Sequence, residues 1–268
     1  MAYINCHFYS KYLAHDTEIS VVLPELWSGI PEGDYPVMYL LHGRGDDATS
    51  WVRRSSIEEY ACEHRTAVVM PSAECSFYLD GVFGKRYFSY MTGELPDLIK
   101  AWFPVTDDPA KTYIAGLSMG GYGALKIGLS YPERFSLIGV FSAGIRPDLI
   151  PDYEETETGN EILHEDIRNA FGDSRFREED NLTALVLRRQ EEGRKLPRII
   201  HYEGKQDMLY SMNHAFRSFA EEQKLDYRYE EWDGFHDWKF WNRAIEKLFQ
   251  VIDGEAQDGK ILQNLAVF

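Results

Sequence analysis

Apolar residues gather into runs of strand length: TEISVVLPEL, YPVMYLLHG, TAVVMPSAE, KTYIAGLS, FSLIGVFSAG, RIIHYEG and DYRYEEWDG. Several are apolar at almost every position, the mark of strands covered on both faces, as in parallel sheets. Between them lie stretches with helical spacing, such as TSWVRRSSIEEYACEH, GELPDLIKAWF, GGYGALKIGLSYP, MNHAFRSFAEEQK and DWKFWNRAIEKLFQVI. This alternation predicts right-handed crossovers and a doubly wound, mostly parallel α/β sheet with helices on both faces. Functional groups are then expected at the carboxyl ends of the strands.

Between 145 and 196 the rhythm breaks into an acidic, polar stretch, RPDLIPDYEETETGNEILHEDIRNAFGDSRFREEDN, followed by the helix-like LTALVLRRQEEGRK. It reads as an insertion, either a solvated excursion or a cap over a cleft. Residues 254–268 read as a C-terminal tail whose apolar end would dock on the body or on another subunit, giving a homo-oligomer. No repeat or linker divides the chain, so 1–268 is expected to form one domain.

Charge narrows the partners. With 44 acidic against 28 basic residues the formal charge is −16, a field that repels phosphate backbones and anionic lipid surfaces. Nucleic acid and membranes are therefore not expected as partners, whereas neutral small molecules meet no penalty. No apolar run approaches the roughly 20 residues needed to cross a bilayer. The start, MAYINCHFYSKYLAHD, lacks the basic and apolar regions of a signal peptide, so a cytoplasmic location is expected. Cys6, Cys62 and Cys75 are too widely spaced for a zinc or redox pair, and histidines and acids show no ligand spacing. No metal or cofactor is expected.

The chemistry concentrates at Gly116-Leu117-Ser118-Met119-Gly120, where the strand TYIA gives way to the helix GGYGALKIGL. A serine hydroxyl attacks a carbonyl only if it is exposed and a base takes its proton. A G-x-S-x-G turn between strand and helix provides the exposure, with glycines where side chains would strike the neighbouring strand and helix. In this arrangement the acid and then the base follow the serine along the chain. Of the later histidines, His164 falls in the polar insertion, His201 inside a strand and His214 in a helix. His236, in WDGFHDWKFWN, lies on a loop between the last strand and the last helix and is the candidate base. Asp207, just after RIIHYEG, is the candidate acid ahead of Glu203, while Asp233 and Asp237 read as loop-forming. Two backbone amides should receive the developing oxyanion: Met119, directly after the serine, and Arg44, in the His42-Gly43-Arg44-Gly45 turn after an early strand. His42 reads as a buried histidine that shapes this turn. Tyr78, Phe83, Phe88, Trp238 and Trp241 lie in candidate site loops, with Tyr78 and Trp238 as the expected substrate contacts.

Through LLHGRGDDATSW, VVMPSAECSFYLD, YIAGLSMGGYGALK, YPERFS, FSAG, EGKQDMLY and GFHDWKFWN, the chain resembles the tributyrin esterase branch of an esterase family in the α/β-hydrolase superfamily. Esterase D, S-formylglutathione hydrolase and antigen 85 are its relatives. The resemblance implies an α/β-hydrolase fold and a serine carboxylesterase acting on a small-molecule ester of short acyl chain. It also implies Ser118, Asp207 and His236 as triad and the Arg44 and Met119 amides as oxyanion hole. Cinnamoyl or feruloyl esterase, thioesterase and acyltransferase activities are its alternatives. Members of the family often carry an apolar residue where Arg44 stands; a guanidinium there is expected to favour esters bearing a carboxylate.

Overall fold

The computed structural model describes residues 1–24, 34–145, 161–172 and 177–265, with the side chains of 161–164, 178 and 255–265 left aside. Eight strands form one sheet: β1 (Ala2–Ser10), β2 (His15–Leu23), β3 (Val37–Leu41), β4 (Ala67–Pro71), β5 (Thr112–Leu117), β6 (Leu137–Phe141), β7 (Arg198–Gly204) and β8 (Tyr227–Trp232). Their order is β1-β2-β4-β3-β5-β6-β7-β8. The six strands from β4 to β8 run parallel, and β1 and β2 add an antiparallel edge. This is the mostly parallel, doubly wound sheet of an α/β hydrolase.

The helices are α1 (Ser50–Arg54), α2 (Ile57–Glu63), α3 (Tyr87–Ser89), α4 (Leu95–Trp102), α5 (Met119–Ser130), α6 (Glu161–Phe171), α7 (Leu182–Glu191), α8 (Tyr210–Glu222) and α9 (Trp238–Leu265). A π-helical turn, Tyr90–Glu94, joins α3 to α4. β3, β4 and β6 are buried at every position, so side chains of alternating parity feed two cores. On one face Leu125, Leu185 and Phe216 bring α5, α7 and α8 against the sheet. On the other, Trp51, Ala61 and Leu248 bring α1, α2 and α9.

Three elements depart from the sequence pattern. β1 escapes a search for apolar runs because it is an edge strand: Ile4, Cys6 and Phe8 pack on the core, while Tyr3, Asn5, His7 and Tyr9 alternate outward. The acidic stretch also holds α6, whose Ile167, Ala170 and Phe171 pack inward. The Phe171 ring lies 5.2 Å from Phe77 and 5.6 Å from Tyr122. Finally, α9 keeps a helical backbone to Leu265, through most of the segment expected as a tail. The remainder of the insertion, 146–160 and 173–176, and the last residues, 266–268, lie outside the described residues.

Candidate active site

β5 and α5 meet at Ser118, whose φ of +51° and ψ of −117° are costly for a residue with a side chain. Hydrogen bonds overdetermine this conformation. Ser118 N–H donates to the Phe141 carbonyl (2.9 Å), and the Ser118 carbonyl accepts from Gly144 (2.9 Å), Gly121 (3.0 Å) and Tyr122 (3.2 Å). The flanking glycines are required by contact. A Cβ on Gly116 would sit 2.3 Å from the Gly120 carbonyl oxygen, and one on Gly120 would sit 2.5 Å from the carbonyl oxygen of Leu41 and 2.6 Å from that of His42. The elbow is thus wedged against the end of β3, the strand that leads into the Arg44 turn.

The other half of the site comes from β7 and β8. Asp207 follows β7 with its carboxylate fully buried, where it accepts from the Leu209 amide at 2.8 Å. His236 follows β8, and its Nδ1–H donates to Asp207 Oδ2 at 2.9 Å and Oδ1 at 3.0 Å. Because a carboxylate only accepts, the proton belongs on Nδ1, leaving the Nε2 lone pair to accept from Ser118 Oγ at 3.0 Å. The Trp241 ring stands edge-on to the imidazole at 4.9 Å. Asp237 is a cap, accepting from the Phe240 amide at 2.9 Å, and Asp233 lies beside Gln206 at 3.5 Å.

On the Arg44 side, His42 holds the turn as a buried neutral ring: Nδ1–H donates to the Gly43 carbonyl at 2.7 Å, and Nε2 accepts the Ala73 amide at 2.9 Å. Burial pushes its pKa down. Among the described residues neither the Arg44 nor the Met119 amide is taken by a backbone hydrogen bond, and Met119 is the first residue of α5, whose amide has no partner within the helix. Two expectations need correction. Tyr78 is fully buried at a φ of +57°, and its hydroxyl donates to the His42 carbonyl at 3.0 Å, so it supports the turn from below and offers no surface to substrate. The Arg44 guanidinium, expected to meet substrate carboxylates, pairs through Nε with Asp166 of α6 at 2.9 Å, which already answers its charge.

A family model described as "Putative esterase" matches residues 10–250. The chain belongs to this family. An acetyl esterase of Caldicellulosiruptor saccharolyticus is 32% identical over 259 residues, covering 93% of this chain and 97% of that protein. Two solved structures from Staphylococcus aureus superpose over 94% of this chain and 98% of their own. One is a fluorophosphonate-binding serine hydrolase, with TM-score 0.82 and 27% identity, and the other an S-formylglutathione hydrolase, with TM-score 0.78 and 29% identity. The protein is a carboxylic ester hydrolase.

Around the esterase's triplet the aromatic loops divide their labour. Trp238 is half-buried, edge-on to Trp51 at 5.1 Å and to Trp241 at 5.4 Å, with the Arg54 guanidinium over its ring. Phe88 stacks on Tyr131 at 6.1 Å, whereas Phe83 is 75% exposed. Phe83 lines an open cavity of about 340 Å³, together with Glu74, Cys75, Lys85, Asp166 and Asn169. Asp166 joins this cavity to the Arg44 turn. Sequence reasoning overlooked Asn213 of α8. Its Oδ1 accepts from His201 Nε2–H at 2.9 Å and from the Ala143 amide at 3.1 Å, and its Nδ2 donates to the Ala143 and Leu209 carbonyls at 3.0 and 2.9 Å. The available signal was an amide three residues before Phe216, on the buried face of an amphipathic helix. No helix among the described residues is long and apolar enough to cross a membrane.

Proposed function

We propose that the protein is a serine carboxylesterase that hydrolyses short-chain acyl esters through an acyl-enzyme on Ser118. The continuous hydrogen-bond relay from Ser118 Oγ through His236 to Asp207 carries this reading. His236 Nε2 takes the Ser118 proton as Oγ attacks the ester carbonyl, and the Arg44 and Met119 amides donate to the tetrahedral oxyanion. His236 then protonates the departing alkoxide. Water enters, gives a proton to the same nitrogen and releases the acid. Asp207 holds the ring in the Nδ1–H tautomer and balances the imidazolium that forms at each stage. The strained Ser118 backbone keeps Oγ at the apex of the elbow throughout.

The acetyl esterase relative supports a small acyl group, and the S-formylglutathione hydrolase neighbour supports a thioester as the competing substrate. Hydrolysis of p-nitrophenyl esters from acetyl to dodecanoyl, alongside methyl ferulate and an acetyl thioester, separates these choices. The expected result is fastest turnover on acetyl to butyryl esters, lost in Ser118→Ala by about 10⁴-fold or more in kcat. Undiminished turnover in Ser118→Ala overturns the mechanism. A preference for the dodecanoyl ester, for ferulate or for the thioester overturns the assigned substrate class.

A further inference from the structure

Glu203 is a carboxyl near the site that the mechanism leaves unused. It lies on β7, four residues before Asp207, wholly buried, and neither of its oxygens has a hydrogen-bond partner among the described residues. Among the described residues no lysine or arginine pairs with it. On its own strand, His201 Nε2 is 3.9 Å away. That ring spends its nitrogens on Asn213 and on the Tyr227 hydroxyl at 2.7 Å, and burial holds it neutral by pushing its pKa down to about 3. From β8 come Tyr229 and Glu231, the latter side by side with Glu203 in the parallel register. From α8 come Tyr210, whose hydroxyl donates to Glu231 at 3.1 Å, and Arg217, which is committed to Glu221 at 2.8 Å and lies over the Tyr229 ring. Asp207 lies in the turn that follows this strand, and the two carboxyls have different partners. Asp207 accepts from an imidazole N–H and an amide, whereas Glu203 accepts from nothing.

We propose that Glu203 is a buried carboxyl kept as the neutral acid between Glu231 and the turn that carries Asp207. Asp207 is the ion that serves His236. Deprotonation of Glu203 in alkali forces a charge into a buried pocket without donors and disrupts the turn that holds Asp207. A buried carboxylate without donors is costly, and two carboxylates in one low-dielectric site cannot both ionise cheaply. Burial, reinforced by Asp207 and Glu231, accordingly pushes the Glu203 pKa up to about 9. The phenols around it are pushed above their usual values, and His201 has already lost its proton, which leaves the alkaline window to Glu203.

The consequence for stability has a definite sign. A carboxyl whose folded value is raised from 4.5 to about 9 contributes fully at low pH, and that contribution fades as pH climbs between the two values. Glu203→Gln has no proton to lose. Its advantage in Tm over wild type should therefore widen steadily from pH 5 to pH 9, and wild type at pH 7.5 should show a carboxylic-acid carbonyl band in the infrared that the variant lacks. The effect on activity rests on the triad reading. Relative to each enzyme's own rate at pH 7, wild type should fall about tenfold by pH 10, with the variant falling far less. Should the variant fail to fold, isotope-edited infrared of wild type with labelled glutamate reads the same proton. Parallel Tm curves, or no protonated carboxyl at pH 7.5, overturn the proposal. Because the thermal and infrared measurements do not involve Ser118, they stand or fall separately from the ester chemistry.

Discussion

The two halves of the site are built on different principles. The serine half, from β5 to α5, is fixed by backbone: carbonyl and amide contacts pin Ser118, and Gly116 and Gly120 lie so close to main-chain atoms that no side chain fits. The base half, after β7 and β8, adds side-chain bonds to its backbone contacts: Asp207 on His236, and Gln206 Oε1 accepting the Gly234 amide at 2.8 Å while the Gln206 backbone amide donates to the Gly234 carbonyl at 3.0 Å. A backbone-built half tolerates no change of shape. Where side-chain bonds carry the work, as at Asp207 and His236, a change of hydrogen-bond polarity is what is not tolerated.

Four substitutions sharpen this contrast. Asp207→Asn keeps the shape and loses the polarity, because an amide nitrogen can face His236 and favour the wrong tautomer. Steady-state kinetics should show kcat down by about 10⁴-fold with Tm little changed. Gly120→Ala does the reverse. Its methyl meets two carbonyl oxygens at 2.5 and 2.6 Å, neither of which can yield, and urea unfolding should report a loss of about 3 kcal/mol or insoluble protein. Asn213→Ala strips partners from a buried histidine and three backbone groups, with an expected loss of about 1–3 kcal/mol. Its kcat should change far less than in Asp207→Asn, since Asn213 touches the floor of the elbow and not the reacting atoms. Arg44→Met should move least. The guanidinium is already paired with Asp166 and the amide remains, so the ranking of neutral against acidic esters should shift by no more than about twofold. A large shift would mean that Arg44 leaves Asp166 when substrate binds.

The pattern of what was legible in the sequence follows the same division. Both-face burial makes the parallel strands readable as apolar runs, and the elbow announces itself because glycines at fixed spacing are a backbone requirement. Asp207 and His236 could be proposed from chain order and from their places after the last strands, and the structure brings both to Ser118. Long-range side-chain partners were not legible. Tyr78 looks like a loop aromatic until the left-handed turn at Phe77 and Tyr78 tucks it under His42. Arg44 looks free until α6, more than a hundred residues later, supplies Asp166. Glu203 reads as a weaker alternative to Asp207, and only the fold reveals that it has no donor among the described residues and lies beside a second glutamate.

The Ser118 carbonyl has a dynamic consequence. One oxygen gathers the amides of Gly121, Tyr122 and Gly144, so the peptide cannot swing without releasing α5 and the segment after β6 together. Subglobal opening of the elbow is thereby suppressed. In native-state hydrogen exchange those three amides should trade their protons only through global unfolding, with the same denaturant dependence as the central strands. The nucleophile would then sit in the slowest-exchanging part of the molecule.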